Sequence, residues 1–254
     1  MKKINSFVRI SILMSVLVPA TVSAADEWRF GITPYLWFAG AEGVASTIPG
    51  LPAAPIDVPA SEALEDMEAS FMGVFEMRKG KHGGFLDILY SDLQSDTTLV
   101  PAPIGLTLKS TSKSTIVSAA YEYELYKRDH AFADVFGGVR YWEVDTQLDF
   151  GGGLGLLAGR TVRYKEDWVD PMIGIKGRSA LGGSKFFVAG VLGLGGFGVG
   201  SDNFYDASAH LGYQWNKTIG TTLGYRMFDV KYENGAFLYD VRQEGWLLGI
   251  SFAF

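Results

Sequence analysis

The chain has no cysteine and only three histidines among its 254 residues. The first absence excludes disulfide stapling, and the two together leave no ligand spacing for a His/Cys metal site. Positive charge is scarce as well: 22 Lys and Arg stand against 28 Asp and Glu, a balance that argues against nucleic acid as a partner. Long apolar runs are missing beyond the N-terminus. The longest later uncharged stretch, Phe186 to Ser201, carries Gly190, Gly193, Gly195, Gly196, Gly198 and Gly200. Each interior glycine costs a helix about 0.8–1 kcal/mol relative to alanine, so this stretch is a poor membrane helix.

The N-terminus does carry an apolar run. Lys2, Lys3 and Arg9 precede Ile10 to Val18, Pro19 breaks the run, and Val22-Ser23-Ala24 supplies small residues for cleavage. The run falls within the 7–15 residues, roughly, of a signal-peptide core and short of the roughly 17–25 of a membrane anchor. The expectation is a signal peptide over 1–24 and a mature domain over 25–254. Without residues 1–24 the chain keeps 19 basic against 28 acidic side chains, a net charge of −9.

An exported chain with no helical span is either a soluble protein or a barrel, and alternation decides between them. Trp246, Leu248, Ile250, Phe252 and Phe254 are large and apolar, while Leu247, Gly249, Ser251 and Ala253 between them are mostly small. Successive side chains of a strand face opposite ways, so one face of this last segment is a lipid-grade stripe. Its length fits the roughly 9–11 residues of a transmembrane strand. Ile219 to Met227, Ala207 to Trp215, Val169 to Lys176 and Ala133 to Trp142 repeat the alternation, polar residues on one face and apolar on the other, as a polar lumen and a lipid face require.

About ten strands are expected (eight to twelve at the limits), near 27–39, 66–78, 83–96, 106–126, 131–149, 161–180, 185–199, 204–216, 218–231 and 238–254. Short turns at 79–82, 127–129, 181–184 and 216–217 alternate with longer connections at 40–65, 97–105 and 150–160. Pro49, Pro52, Pro55 and Pro59 mark the first long connection as a loop and not a strand, with a helical turn open to Ser61–Met67. Pro171, inside a strand, predicts a local bulge. The fold class is therefore all-β: a single antiparallel up-and-down transmembrane barrel, both termini on the periplasmic side of the outer membrane of a Gram-negative-type cell.

Several short motifs carry a resemblance. They are Thr33-Pro34-Tyr35-Leu36-Trp37; Phe71-Met72-Gly73; Phe75-Glu76-Met77-Arg78-Lys79-Gly80; and Phe85-Leu86-Asp87-Ile88-Leu89-Tyr90. Gly138-Val139-Arg140-Tyr141-Trp142, Trp168-Val169-Asp170-Pro171, Gly196 to Asp202, Gly224-Tyr225-Arg226 and Leu247-Leu248-Gly249 complete the set. Together they resemble a family of uncharacterised proteobacterial outer-membrane barrel proteins, loosely similar to the opacity-type surface antigens. The resemblance covers most of the mature chain and implies an outer-membrane barrel with no established activity. Residues 41–65 depart from it by their content of Pro and Ala.

The chemistry-bearing residues are the charges that parity turns inward: Glu76, Arg78, Asp87, Glu122, Glu124, Asp134, Arg140, Asp170, Lys176, Arg178 and Arg226. An isolated buried charge is costly, so these nearly balanced groups are expected to form an ion-paired network that largely plugs the lumen. Asp206, Ser208 and His210 supply catalytic-triad residue types on one strand face. Positions i and i+2 lie about 6.5–7 Å apart, against the roughly 2.6–3.2 Å that nucleophile and base need, and no enzyme, metal or cofactor is expected. Trp28, Trp215, Trp246, Tyr123, Tyr126 and Tyr213 fit interfacial girdles, and Trp37, Trp142 and Trp168 fit lumen packing. The expected role is structural or interactive, in envelope integrity or surface contact through outer loops. The alternatives are a narrow channel for small ions or solutes and, last, a lipid- or lipopolysaccharide-acting enzyme. The expected partners are outer-membrane lipid, lipopolysaccharide and, during insertion, the barrel-assembly machinery, with a surface partner left open.

Overall fold

A computed structural model describes residues 27–48, 52–100, 105–152 and 159–254; the expected signal peptide lies outside them. The elements are β1 (Arg29–Ser46), β2 (Ala54–Val58), α1 (Ala60–Glu65), β3 (Met67–Lys79), β4 (His82–Val100), β5 (Leu106–Arg128), β6 (Ala131–Gly151), β7 (Thr161–Ala180), β8 (Phe186–Gly195), β9 (Asn203–Gln214), β10 (Ile219–Asn234) and β11 (Phe237–Ala253). Every strand from β3 to β11 pairs antiparallel with the next, β3 pairs with β1, and β11 closes the ring on β1 from Gly31↔Ala253 to Ser46↔Leu238. The result is a closed ten-stranded barrel with β2 as an additional strand. Closure leaves the ring without a free edge.

One end of the barrel carries the short turns. Lys79 and His82 flank a two-residue turn whose Gly80 has φ 59°, the left-handed conformation that such hairpin turns require. At this turn end Phe254 also closes the seam: Phe30 N–H donates to the Phe254 carbonyl at 2.8 Å, and Phe254 N–H to the Phe30 carbonyl at 3.0 Å.

The opposite, loop end departs from the sequence expectation. β1 runs on to Ser46 and pairs with β2 from Ala41↔Val58 to Ala45↔Ala54, so 40–65 is not only loop. β2 tolerates Pro55 because it pairs with β1 alone, and an edge strand can lack one N–H. β1 leaves β3 at Pro34↔Gly73, where proline supplies no donor, and β2 takes over that side. α1 follows as a single short helix with Ala63 buried. β4 and β5 stay paired as far as Val100↔Leu106, so residues 97–100 of the expected 97–105 connection belong to a strand. Pro171 makes no bulge: β6 and β7 hold one register from Ala131↔Ser179 to Asp149↔Thr161. Its carbonyl accepts from Gly196 N–H just past the last β7–β8 pair, Met172↔Gly195, so the missing donor lies where that ladder ends. The register shifts fall instead at Met67/Ala69, Thr98/Val100 and Glu124/Tyr126.

Outward side chains near the turn end form an apolar belt, with Ile32, Leu36, Val139, Ile173, Ile175, Leu211, Leu223, Trp246, Leu248, Ile250, Phe252 and Phe254 all exposed. Toward the loop end the pattern inverts without any change of register. On β10 the outward apolar series ends at Met227, and Asp229, Lys231 and Glu233 follow on the same face, while Phe228, Val230 and Tyr232 turn inward and are buried. On β6 the apolar residues pass from the outward Val139 and Tyr141 to the inward Trp142 and Val144. The loop-end half therefore has a dry core built from Trp37, Trp142, Trp168, Phe204, Phe228, Tyr232 and Phe237.

Candidate functional site in the lumen

The inward residues form three levels, from the turn end upward. At the lowest, Arg78 of β3 bonds Asp134 and reaches Glu122 at 2.8 Å and Glu124 at 3.6 Å. Lys176 of β7 bonds Glu76 and reaches Glu122 at 2.9 Å. Four strands supply this wall of charge, and each carboxylate in it is engaged by a base.

The middle level is a chain of polar contacts across the lumen. Tyr35 Oη donates to Asp87 Oδ1 at 2.8 Å and accepts from Arg226 at 3.0 Å. Arg226 also donates to both oxygens of Asp206, Nε to Oδ1 at 2.9 Å and a terminal nitrogen to Oδ2 at 2.7 Å. Arg140 donates to Asp206 Oδ2 at 2.6 Å and to Ser118 Oγ at 2.7 Å. Its guanidinium lies over the rings of Phe204 at 4.6 Å and Phe228 at 4.8 Å, a cation–π arrangement that strengthens on desolvation. Asp206, Arg140 and Arg226 are all buried. One Arg140 nitrogen is buried without a partner among the described residues.

The top level is aromatic. Trp142 stacks on Trp168 at 5.4 Å and on Phe228 at 5.0 Å, and Trp168 stacks on Tyr232 at 4.0 Å. The last stack joins β7 to β10 across the low rim left by the short β8 and β9. Asp170 holds the connection below that rim: its two oxygens accept from Ser201 N–H and Ser201 Oγ, each at 2.6 Å. Glycines let rings fold flat over the neighbouring strand, opposite their own ladder partners. A Cβ on Gly195 would lie 2.2 Å from the Phe204 ring, and one on Gly174 would lie 2.2 Å from the Phe136 ring.

Between the lower and middle levels is a blind cup of about 510 Å³. Its roof is Tyr35, Asp87, Arg140, Asp206 and Arg226, one flank is the charged wall, and the other is small: Ala189, Gly190, Gly193, Ser208, Thr222 and Ser251. It opens at the turn end into a mouth of about 420 Å³ lined by Arg29, Arg78, Lys127, Arg128, Arg178 and Lys185 against Glu124 and Asp129. The lumen is therefore filled in its loop-end half and hollow in its turn-end half, less uniformly plugged than the charge balance suggested.

All eleven charges expected inward lie on the lumen side, but two do not join ion pairs. Asp170 is spent on Ser201, and Arg178 lies 3.4 Å over the Phe187 ring and donates to Gln214 at 2.7 Å. The carboxylate on which the middle level turns, Asp206, was legible by parity, yet sequence reasoning weighed it only beside Ser208 and His210 as a triad residue type and left it out of the charge network. The triad geometry also differs from expectation. His210 Nε2 lies 2.9 Å from Ser208 Oγ, because the imidazole spans the distance that backbone spacing alone left open. Asp206 instead bonds Arg140 and Arg226, so the base lacks the orienting third group of a triad. Trp37, Trp142 and Trp168 are buried in the lumen. Among the described residues no group of three or more His, Asp or Glu is placed to hold a metal ion.

No known protein family matches the chain, and no curated protein matches it in sequence. Solved structures that it resembles include Ail, the attachment invasion locus protein of Yersinia pestis, at 8% identity and TM-score 0.36 over 90% of this chain and 99% of that one. The translocator domain of the autotransporter NalP from Neisseria meningitidis follows at 11% identity and TM-score 0.43, over 89% and 88%. Neisserial surface protein A is similar at 13% identity and TM-score 0.28, over 89% and 97%. At TM-scores this low, architecture and function alike are read from the chain itself.

Proposed function

We propose that this chain is an integral outer-membrane barrel of a Gram-negative-type bacterium, sealed across its lumen, with a structural or interactive role in the envelope. The apolar outward belt supports the membrane reading, since soluble proteins rarely expose a continuous apolar patch beyond a few hundred Å². Short turns and both described ends at one pole support a periplasmic turn end, leaving the long hairpins outside. The stripe from Trp246 to Phe254 is the feature through which the assembly machinery would recognise the last strand. Lipid and lipopolysaccharide are the partners of the belt and its rim, and envelope integrity or surface contact is the role of the projecting hairpins.

The observation that carries the sealed reading is the stacked pair of septa: the Tyr35–Asp87–Arg226–Asp206–Arg140 chain beneath the Trp37–Trp142–Phe228–Trp168 cluster. The test combines planar-bilayer recording with a heat-modifiable gel shift on refolded protein. The wild type is expected to shift on the gel and to stay electrically silent, whereas Trp142→Ala and Phe228→Ala combined with Arg226→Ala, which breaches both septa, opens steady conductance. Steady single-channel steps from the wild type, altered by Arg140→Ala, would replace the sealed barrel with a narrow channel. A soluble monomer recovered without detergent would overturn the membrane reading itself.

A further inference from the structure

The cup has features that a merely sealed barrel does not need. Its volume lies within the roughly 300–1,000 Å³ of small-molecule sites, and it is blind above and open at the turn end. Val74, Phe85, Phe136, Met172, Val191 and Leu247 give it an apolar body. Its mouth carries more cations than carboxylates: Arg29, Arg78, Lys127, Arg128, Arg178 and Lys185 against Glu124 and Asp129. The lower-level carboxylates Glu76, Glu122, Glu124 and Asp134 are taken by Arg78, Lys176 and Lys127. Arg178 and Arg29 line both the mouth and the cup, and neither makes an ion pair among the described residues. Arg29 stands directly across from Arg78 in the β1–β3 ladder, a like-charge pairing that costs stability. Arg178 has one face against Phe187 and donates to a single neutral partner, Gln214, which leaves donors of its planar fork for a carboxylate or phosphate. A half-buried cation over an apolar cavity, with no carboxylate bonded to its fork among the described residues, matches a ligand that brings an anion to it.

We propose that the cup binds a single-chain anionic amphiphile entering from the turn end, its carboxylate or phosphate monoester held by Arg178 and Arg29 and its chain laid against the apolar body. Lys185 at the mouth adds to the field that draws the head inward. The inference goes beyond the sealed-barrel reading and is tested without conductance.

The test measures saturable binding of carboxyl-¹³C-labelled decanoate by carbon NMR, using the refolded full-length barrel in lipid nanodiscs with empty nanodiscs as the blank. Decyl phosphate, decan-1-ol, decyltrimethylammonium and inorganic phosphate serve as competitors. Decanoate is expected to saturate at one per barrel and to be displaced by decyl phosphate at least tenfold more effectively than by decyltrimethylammonium; the tighter of the two acids identifies the head group. Arg29→Gln with Arg178→Gln should weaken decanoate at least tenfold and leave decan-1-ol competition unchanged. Ala189→Trp, which fills the small flank, should abolish binding of both. Thr222→Trp replaces it if that variant loses the heat-modifiable fold. Decanoate affinity unchanged in the arginine double variant, or binding that survives the filled cup, would overturn the proposal. Displacement of decanoate by inorganic phosphate as effective as by decyl phosphate would also overturn it, because the chain would then contribute nothing.

Discussion

Asp206 is the one carboxylate shared by Arg140 and Arg226, and its removal exposes how the middle level is balanced. Asp206→Asn preserves the shape and deletes the charge. Arg226 retains Asp87 at 3.2 Å and Tyr35 at 3.0 Å. Arg140 retains only Ser118 at 2.7 Å and its ring contacts, with one nitrogen already lacking a partner. Orphaning a buried charge costs about 3–5 kcal/mol, which lowers the folded-to-unfolded ratio by roughly two to three and a half powers of ten. The assay is urea unfolding of the barrel in lipid vesicles, followed by tryptophan emission. Arg140→Met in the Asp206→Asn background removes the orphan while keeping an unbranched chain between Phe204 and Phe228. The double variant should therefore recover most of the loss, and a substantial positive coupling is expected between these contacting sites. If Asp206→Asn alone costs less than about 1 kcal/mol, or Arg140→Met makes the double variant less stable still, the septum is not held by this shared carboxylate and the reasoning fails.

Three further outcomes follow from other levels. Gly195→Ala puts a methyl 2.2 Å from the Phe204 ring and 2.5 Å from the Pro171 carbonyl; overpacking of this kind costs about 1–3 kcal/mol, read as a lower urea midpoint at unchanged slope. Asp170→Ala removes both bonds to Ser201, each a hydrogen bond to a charged acceptor worth about 1.5–3 kcal/mol; the connection between β8 and β9 should be cut faster by added protease while the rest of the barrel stays resistant. Deleting Phe254 removes its two seam hydrogen bonds and its stack on Phe30 at 6.1 Å; refolding into vesicles, timed by the gel shift, should slow, with the final folded form still heat-modifiable.

Much of the barrel was legible because an apolar outer belt and a polar lumen place opposite residue types at alternate positions. The stripe from Trp246 to Phe254 and the inward parity of Arg140, Lys176 and Arg226 needed nothing more than a period of two. What escaped were features set by partners distant in sequence. β2 was hidden by Pro55, which is harmless only because that strand pairs on one side. The extension of β4 from residue 96 to Val100 was hidden because Pro101 and Pro103 just beyond it look like loop composition. Asp206 was considered only with Ser208 and His210, its neighbours in sequence, whereas its partners lie on β6 and β10. The reach of His210 was missed because strand spacing fixes backbone separation and not the length of a ring. One signal was present and unread: two large apolar residues side by side, as at Tyr141-Trp142, Trp168-Val169 and Met227-Phe228, mark where the buried face changes sides.

That change of sides divides β6, β7 and β10 between two surroundings. Below it, in the membrane setting proposed above, the chain is turned outward to hydrocarbon, and transferring those side chains from lipid to water on unfolding is a different process from emptying an aqueous core. Above it, Trp142, Trp168, Phe204, Phe228 and Phe237 leave a dry interior as they would in any water-soluble sheet protein, and such exposure raises heat capacity by about 0.45 cal/K/mol per Å² of apolar surface. In unfolding that leaves the chain on the membrane surface, the curvature of stability with temperature thus belongs to the aromatic half. Cooling should loosen the projecting hairpins first, while the lipid-facing girdle keeps the ring closed beneath them.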